Sequence, residues 1–258
     1  MSDLFDISGR AAVVTGGSRG IGRMIARGLV EAGARVMISS RKADELENTA
    51  CELAELGHCE ALPADLSTPD GARALAKAVH ERFDALSILV NNAGATWGAP
   101  LEEFPDRGWD RVIHTNLEGI FHLTVALLPA LREAATNASP ARVINIGSVD
   151  GIRVPSMENY SYSAGKAGVH MLTRHLAKRL AGDQITVNAI APGPFESKMM
   201  AFALEEEDSR AMVEQQVPLG RIGRPDDIVG LTLFLSSRAG SYMTGAVIPL
   251  DGGITGCN

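Results

Sequence analysis

The chain is poor in cysteine, in aromatic residues and in positive charge, and it has no long apolar run. Its three cysteines are Cys51, Cys59 and Cys257. An odd count without C-x-x-C spacing argues against a disulfide framework or a zinc site and fits a reducing compartment. The six histidines are scattered. Even the nearest pair, His170 and His175, lacks a matching carboxylate pattern, so no metal site is expected. Lys and Arg number 24 against 31 Asp and Glu, a net charge of −7. That disfavours nucleic acid as a partner and leaves any anionic ligand to local basic groups. No run of 18 apolar residues occurs, and Met1 to Arg10 lacks the apolar core of a signal peptide; no membrane association and a cytoplasmic location are expected.

What is present suits a folded α/β protein. The 258 residues are 45% hydrophobic and include 27 glycines, enough for a large core with tight turns. No linker, repeat or low-complexity segment interrupts them, so residues 1–258 are expected to form a single domain. Ala11 to Val14 reads as a buried strand, and Ile21 to Ala32 as a helix stopped by Gly33. Between them lies Thr15-Gly16-Gly17-Ser18-Arg19-Gly20-Ile21-Gly22. Gly16 suits a tight turn, Gly20 the close approach of backbone to a pyrophosphate, and Gly22 close helix-to-strand packing. The helix N-terminus would face the phosphates. The spacing differs from G-x-G-x-x-G and from a P-loop; an ordinary glycine-rich turn is the rival reading.

The next strand, Arg35 to Ser39, runs into Ser40-Arg41-Lys42. A carboxylate at this place would select NAD through the ribose 2′-hydroxyl. Hydroxyls and bases suit a 2′-phosphate instead, with Arg41 as clamp and Arg19 approaching from the glycine loop. NADP(H) is therefore the expected cofactor. A helix over Ala43 to Leu56 and a strand over Cys59 to Ala64 follow. Asp65-Leu66 then lies at the strand's C-terminal end, where Asp65 could meet an adenine amino group or cap the next helix in competition with Thr68. A helix over Asp70 to Phe83 leads to the strand Leu86 to Val90 and to Asn91-Asn92-Ala93-Gly94, a loop of amides and small residues fit to admit a cofactor. Alternating strands and helices imply a parallel sheet covered on both faces.

In the second half, Trp109 to Ala135 reads as one long helix containing Asn116, which either frees a backbone carbonyl to bind water or is a buried amide with a partner. The strand Arg142 to Ile146 delivers Ser148 to the cofactor edge. Fourteen residues later comes Tyr162-Ser163-Ala164-Gly165-Lys166. On a helix, Tyr162 and Lys166 share a face one turn apart. A free tyrosine has a pKa of ~10, and a fixed positive charge would bring it toward working pH. Tyr160 lacks such a lysine, since the residue four beyond it is Ala164. A Ser-His-Asp triad is the rival, but Gly147-Ser148-Val149-Asp150-Gly151 is not a nucleophile elbow. Gln184 to Ala191 reads as a strand, Met199 to Gln216 as a helical part of a flap at about 196–216, Pro225 to Leu235 as a helix, and Ala246 to Leu250 as the last strand.

Taken in order, the glycine loop, Asn91-Asn92-Ala93-Gly94, Asn116, Ser148, Tyr162-x-x-x-Lys166 and Pro192-Gly193 resemble the short-chain dehydrogenase/reductase family from about residue 7 to Gly253. The resemblance implies a doubly wound Rossmann three-layer sandwich with a seven-stranded parallel sheet in the order 3-2-1-4-5-6-7. It implies that Tyr162 protonates a carbonyl oxygen, that Lys166 tunes Tyr162 and holds the nicotinamide ribose, that Ser148 polarises the carbonyl, and that Asn116 holds a relay water. It places Gly16, Ser18, Arg19, Gly20, Ile21, Gly22, Ser40, Arg41, Asp65, Leu66, Asn92, Ala93, Gly94, Pro192, Gly193, Phe195 and Ser197, with Tyr162 and Lys166, around NADP(H). It also implies a homotetramer.

Within the family the chain is similar to bacterial 3-oxoacyl thioester reductases, especially the type linked to rhamnolipid synthesis, through Gly147-Ser148-Val149 and Tyr242-Met243-Thr244-Gly245. The substrate would then be a ketone in an acyl thioester, with an acyl carrier protein as a candidate partner. Trp97, Val154, Met157, Phe195, Met199, Met200 and Phe202 could line an apolar slot, although flap residues of any member are apolar simply to close over the cofactor. Arg174, Lys178 and Arg179 are basic as a carrier would require, but Asp183 follows them. A coenzyme A thioester, a free ketone, or a polyol or sugar acted on as a secondary alcohol stays open. A non-enzymatic binding protein ranks last because all four catalytic residues are present.

Overall fold

The computed structural model describes residues 4–197 and 207–257. In chain order the elements are β1 (Ala11–Thr15), α1 (Gly20–Glu31), β2 (Arg35–Ser39), α2 (Ala43–Ala54), β3 (Cys59–Ala61), α3 (Pro69–His80), β4 (Ile88–Asn91), α4 (Asp106–Ile113) and α5 (Gly119–Ala134). They continue with β5 (Ala141–Ile146), α6 (Tyr160–Leu180), β6 (Ile185–Pro192), α7 (Glu207–Gln215), α8 (Pro225–Ser236) and β7 (Val247–Leu250). The strands form one parallel sheet in the order β3-β2-β1-β4-β5-β6-β7, as the family resemblance implied.

Alternation along the strands divides the core. Val13, Met37, Leu89, Val143 and Val187 face one layer, where they meet α3, α5 and α6 through Leu75, Leu127 and Leu176. Ala12, Val14, Val36, Ile38, Ile88, Val90 and Ile144 face the other, against Ile25 of α1, Leu46 of α2 and Ile228 of α8. The register brings the strand ends level: Val14 pairs with Ile38 and with Val90, Asn91 with Asn145, and Ile146 with Ile190. Every loop leaving a C-terminal strand end therefore opens on the same sheet edge, where ligands of such sheets bind.

Local chemistry sets the element ends. Thr68 caps α3 by accepting from the Gly71 amide at 3.1 Å, Pro69 fills its first position, and Asp70 complements the helix dipole. β3 stops at Ala61 rather than Ala64: it is an edge strand paired only with β2, and Pro63 has no amide to donate. β6 starts at Ile185 because Gln184 is left-handed, with φ of 56°. The single helix expected from Trp109 to Ala135 is instead α4 and α5 joined by a π turn over His114–Glu118. One extra residue enters the turn around Asn116. Among the described residues no helix is long and apolar enough to cross a membrane.

Candidate active site

The glycine loop and the loop after β4 are built as one unit. Gly16 and Gly20 have φ of +65° and +53°, a region that L side chains rarely adopt. A Cβ on Gly22 would stand 2.2 Å from the Gly16 carbonyl oxygen, so α1 can rest on the turn only because that residue is glycine. Asn92 Nδ2 donates to the carbonyls of Thr15 at 2.9 Å and Gly16 at 3.2 Å. Thr15 Oγ1 accepts from the amides of Asn92 and Ala93 at 2.9 Å each. The Asn92 side chain is thus spent on locking the loop. No side chain caps the start of α1, which leaves its first amides open at the mouth of this turn.

At the end of β2 the hydroxyls of Ser39 and Ser40 are buried without a partner among the described residues. Arg41 is exposed beside them. Orphaned hydroxyls next to a guanidinium fit a phosphate on a ribose, so the residues present suit NADP(H). Arg19 turns elsewhere, to Glu45 at 3.3 Å. Asp65 Oδ1 accepts from the Ser67 amide at 3.0 Å and the Ser67 hydroxyl at 2.8 Å. Burial pulls its carboxyl upward, but these bonds and Arg41 hold it below the usual range. The cap of α3 belongs to Thr68 and not to Asp65. The Leu66 side chain is core, and its carbonyl lies against Gly119, where a Cβ would come within 2.4 Å.

The end of β5 and the start of α6 meet at Ser148. Its Oγ accepts from the Asp150 amide at 3.1 Å and is hydrogen-bonded to Tyr162. Lys166, 4% exposed, donates from Nζ to the Ile146 carbonyl at 2.7 Å. That nitrogen lies 5.5 Å from the centre of the Tyr162 ring. Burial pushes Tyr162 up to about 12, against the Ser148 bond and with the Asp150 carboxylate. Burial pushes Lys166 down to about 8, with Asp150 opposing. The expected drop of the phenol toward working pH is absent from this arrangement. The ammonium is engaged with a backbone carbonyl, and burial dominates the phenol. Tyr160 is set apart, its hydroxyl on Glu158 at 3.2 Å and its ring edge-on to Phe104.

Asn116 is fully buried. Its Oδ1 accepts from the Ala95 amide at 2.7 Å, and its Nδ2 donates to the Ala95 carbonyl at 2.9 Å. The amide thus has a partner, and the π turn runs through this residue. Gly94 lies beside it, with an added Cβ 3.5 Å from Asn116 Oδ1.

Two groups that the sequence offered only for rival readings, a metal site and a triad, lie at the site. Asp150 sits in the turn Val149–Gly151, where Asn159 Nδ2 donates to its Oδ2 at 3.3 Å. Burial raises its carboxyl, against Asn159, Arg153 and Lys166. A carboxylate two residues beyond Ser148 was the available signal. His170 lies one turn beyond Lys166 on α6 and is 5% exposed. A Cβ on Gly147 would stand 2.2 Å from its Nε2, and one on Gly151 would stand 2.9 Å from its Cε1. Burial, aided by the Lys166 charge, pushes the imidazole down to about 4.

Beyond β6, the Gly193 amide donates to the Leu250 carbonyl at 3.0 Å, and Ser197 approaches the glycine loop, its Cβ 3.2 Å from where a Gly20 Cβ would be. The expected substrate set is dispersed. Phe195 is 2% exposed and its ring fills the space over Gly223, where a Cβ would meet it at 2.2 Å; the ring belongs to the core and not to an open slot. Met157 and Val154 are 43% and 91% exposed. Trp97 packs on Gly108 of α4. Met199, Met200 and Phe202 lie outside the described residues, as do residues 198–206 of the expected flap; its later part is α7.

Comparison with known proteins follows this geometry along nearly the whole chain. A family model described as enoyl-(acyl carrier protein) reductase matches residues 16–255. The rhamnolipids biosynthesis 3-oxoacyl-[acyl-carrier-protein] reductase of Pseudomonas aeruginosa is 49% identical over 253 residues, covering 98% of this chain and 99% of that protein. A solved structure of an RhlG/NADP active-site complex from the same organism superposes with a TM-score of 0.97 at 49% identity, covering 99% and 100% of the two chains. Gluconate 5-dehydrogenase of Gluconobacter oxydans is 33% identical over 255 residues, 98% of this chain and 97% of that protein. A sheet of this order, a glycine loop locked by Asn92 and a Tyr162-Lys166 pair facing Ser148, together with these similarities, establish that the chain belongs to the short-chain dehydrogenase/reductase family.

Proposed function

We propose that this protein is an NADPH-dependent reductase that converts a 3-oxoacyl thioester to the 3-hydroxyacyl thioester. The observation that carries the reading is the buried phenol of Tyr162, hydrogen-bonded to Ser148. At neutral pH such a group is in its proton-donor form. In this reading Ser148 and Tyr162 both hydrogen-bond the substrate carbonyl oxygen, and Tyr162 passes its proton to that oxygen as the carbonyl carbon is reduced. NADPH supplies the hydride when bound. Lys166 holds the nicotinamide ribose, and Asn116 holds a water leading to it.

The glycine loop (Gly16, Ser18, Gly20, Ile21, Gly22), Ser40 and Arg41 hold the phosphates; Arg19 joins them on leaving Glu45. Asp65 and Leu66 flank the adenine. Asn92, Ala93 and Gly94 flank the ribose, and Pro192, Gly193, the Phe195 backbone and Ser197 flank the nicotinamide. The protein's share is positioning and electrostatics. The thioester class is supported by the 49% identical 3-oxoacyl-[acyl-carrier-protein] reductase. We extend the reading to a single 258-residue domain acting in the cytoplasm. The exposed Phe121 and Val125 on α5 and Met171 on α6 support a homotetramer formed through these helices.

The second reading is an NADP-dependent dehydrogenase of a polyol or sugar acid, supported by the 33% identity to gluconate 5-dehydrogenase. A screen of NADPH oxidation with 3-oxoacyl thioesters of graded length, alongside NADP reduction with polyols and sugar acids, decides between them. Thioester turnover with little on the alcohols is expected; the opposite pattern would reverse the order.

A further inference from the structure

We propose that Arg107 and Arg111, held over the indole of Trp97, are the receptor for the phosphate of a phosphopantetheine arm, the handle shared by coenzyme A and carrier-protein thioesters. The assignment rests on the thioester reading above and names the part of the substrate that reading left unplaced. Trp97 lies on the loop that follows β4, at the ligand edge of the sheet. Gly108 sits between the two arginines, and a Cβ there would stand 2.9 Å from the indole Cγ and Cδ1. The missing side chain lets α4 lie against the ring. Arg107 and Arg111 are one turn apart on the exposed surface of α4, with guanidinium carbons 5.1 and 5.8 Å from the ring centre.

Two like charges four residues apart on a helix repel each other. Among the described residues no carboxylate pairs with either arginine and no hydrogen bond engages either guanidinium. Stacking on the indole holds the pair in place and leaves its planar N–H donors available. An anion with several oxygens relieves the repulsion and matches the donor geometry, which is the chemistry of a phosphate ester. A ring covered by two guanidiniums is a poor wall for an alkyl chain, so Trp97 belongs to the polar end of the substrate. Glu102, Glu103, Asp106 and Asp110 lie near the pair along the chain. Such a mixed field suits one phosphate better than the acidic face of a whole carrier protein.

The pair is close to the chemistry. The Ser161 hydroxyl donates to the Gly108 carbonyl at 3.2 Å, and the Ala99 amide donates to the Glu158 carbonyl at 3.2 Å. These contacts fasten α4 to the first turn of α6, which carries Tyr162, and the Trp97 loop to the segment just before that helix. A thioester whose ketone is held at Ser148 and Tyr162 can leave the cleft past Trp97 with its phosphate at the arginines.

The test compares the wild-type enzyme with the double variant Arg107→Ala/Arg111→Ala. The substrates are one 3-oxoacyl group carried by coenzyme A, by a carrier protein and by N-acetylcysteamine, which has no phosphate. KM for the phosphate-bearing esters should rise at least tenfold with kcat nearly unchanged, while the N-acetylcysteamine ester is unaffected. Inhibition by free 4′-phosphopantetheine should be lost, with any inhibition by pantetheine unchanged. The charge-retaining Arg107→Lys/Arg111→Lys variant should fall between. A loss confined to the coenzyme A ester, or to the carrier ester, would overturn a receptor for the phosphate the two share. Equal loss on all three esters, or no loss on any, overturns the receptor while leaving the thioester reading intact. A wild-type enzyme inert on all three, the N-acetylcysteamine ester included, overturns the thioester reading and the receptor with it.

Discussion

Lys166 Nζ reaches the carbonyl of Ile146 at 2.7 Å and so ties the catalytic helix to the end of the strand that delivers Ser148 two residues later. This bond draws the first turn of α6 over the sheet edge. It places Tyr162, one turn before the lysine, against the Ser148 hydroxyl. It also uses the ammonium as a structural donor, so the Tyr162 phenol is governed by burial and by Ser148 and Asp150 more than by Lys166.

Tyr162→Phe keeps the ring and removes only the proton donor. Reduction should fall by at least about a hundredfold, the usual contribution of a positioned acid. NADPH affinity, read by fluorescence titration, should stay within about twofold of wild type. Turnover near the wild-type rate would remove Tyr162 from the reaction.

Asp150→Asn tests the carboxylate beside the acid. Asp150 raises the pKa of both Tyr162 and Lys166, so its loss lowers both. Reduction needs the protonated phenol and declines as pH rises through its pKa. The alkaline limb of the reduction profile should therefore move to lower pH in the variant. The reverse reaction, which needs the phenolate, should gain rate at neutral pH. Superimposable pH profiles would mean that Asp150 has no electrostatic part.

Arg41→Ala removes the exposed guanidinium beside the orphaned Ser39 and Ser40 hydroxyls. Loss of a hydrogen bond to a charged group costs about 1.5–3 kcal/mol, which corresponds to roughly a tenfold or greater weakening of NADPH. NADH, lacking the 2′-phosphate, should change by less than about twofold. Equal weakening of the two, measured by titration, would refute the 2′-phosphate assignment.

His170 should make stability pH-dependent. Its pKa is pushed from the ordinary 6.5 down to about 4 in the folded protein. Between those values the unfolded chain takes up a proton that the folded chain refuses. Stability should be fully present above about pH 6.5 and decline as pH falls toward 4. Urea midpoints at pH 7 and pH 5 for wild type and His170→Leu measure this. The variant should lose less on acidification, and an identical loss would assign the effect to other groups.

Much of the fold was legible because it is written in local periodicity. Buried apolar runs at β1, β2 and β4, helical stripes between them and glycine at Gly16 and Gly22 specify strand, turn and helix with little reference to the rest of the chain. The misjudged boundaries have local causes that pattern alone does not rank. Pro63 ends β3, Gln184 turns left-handed before β6, and the Asn116 amide engages Ala95 within a π turn. Asp150, two residues from Ser148, carries no pattern along the chain that sets it apart from an ordinary turn carboxylate. Only packing brings it beside Tyr162 and Lys166.

The sequence by itself determined the order of strands and helices and the presence of a glycine loop, a serine and a Tyr162-Lys166 pair, because each depends on pattern along the chain, and the motifs taken in order carried the family resemblance. The tertiary structure alone decided what charge those groups carry and what lies around them. The Tyr162 pKa depends on Ser148 and Asp150, which come from another element. The Phe195 ring is claimed by Gly223, and Trp97 is covered by Arg107 and Arg111. A proton's free energy and a pocket's lining are set by neighbours in space, and the packing of α4, α6 and the strand ends is what chooses those neighbours.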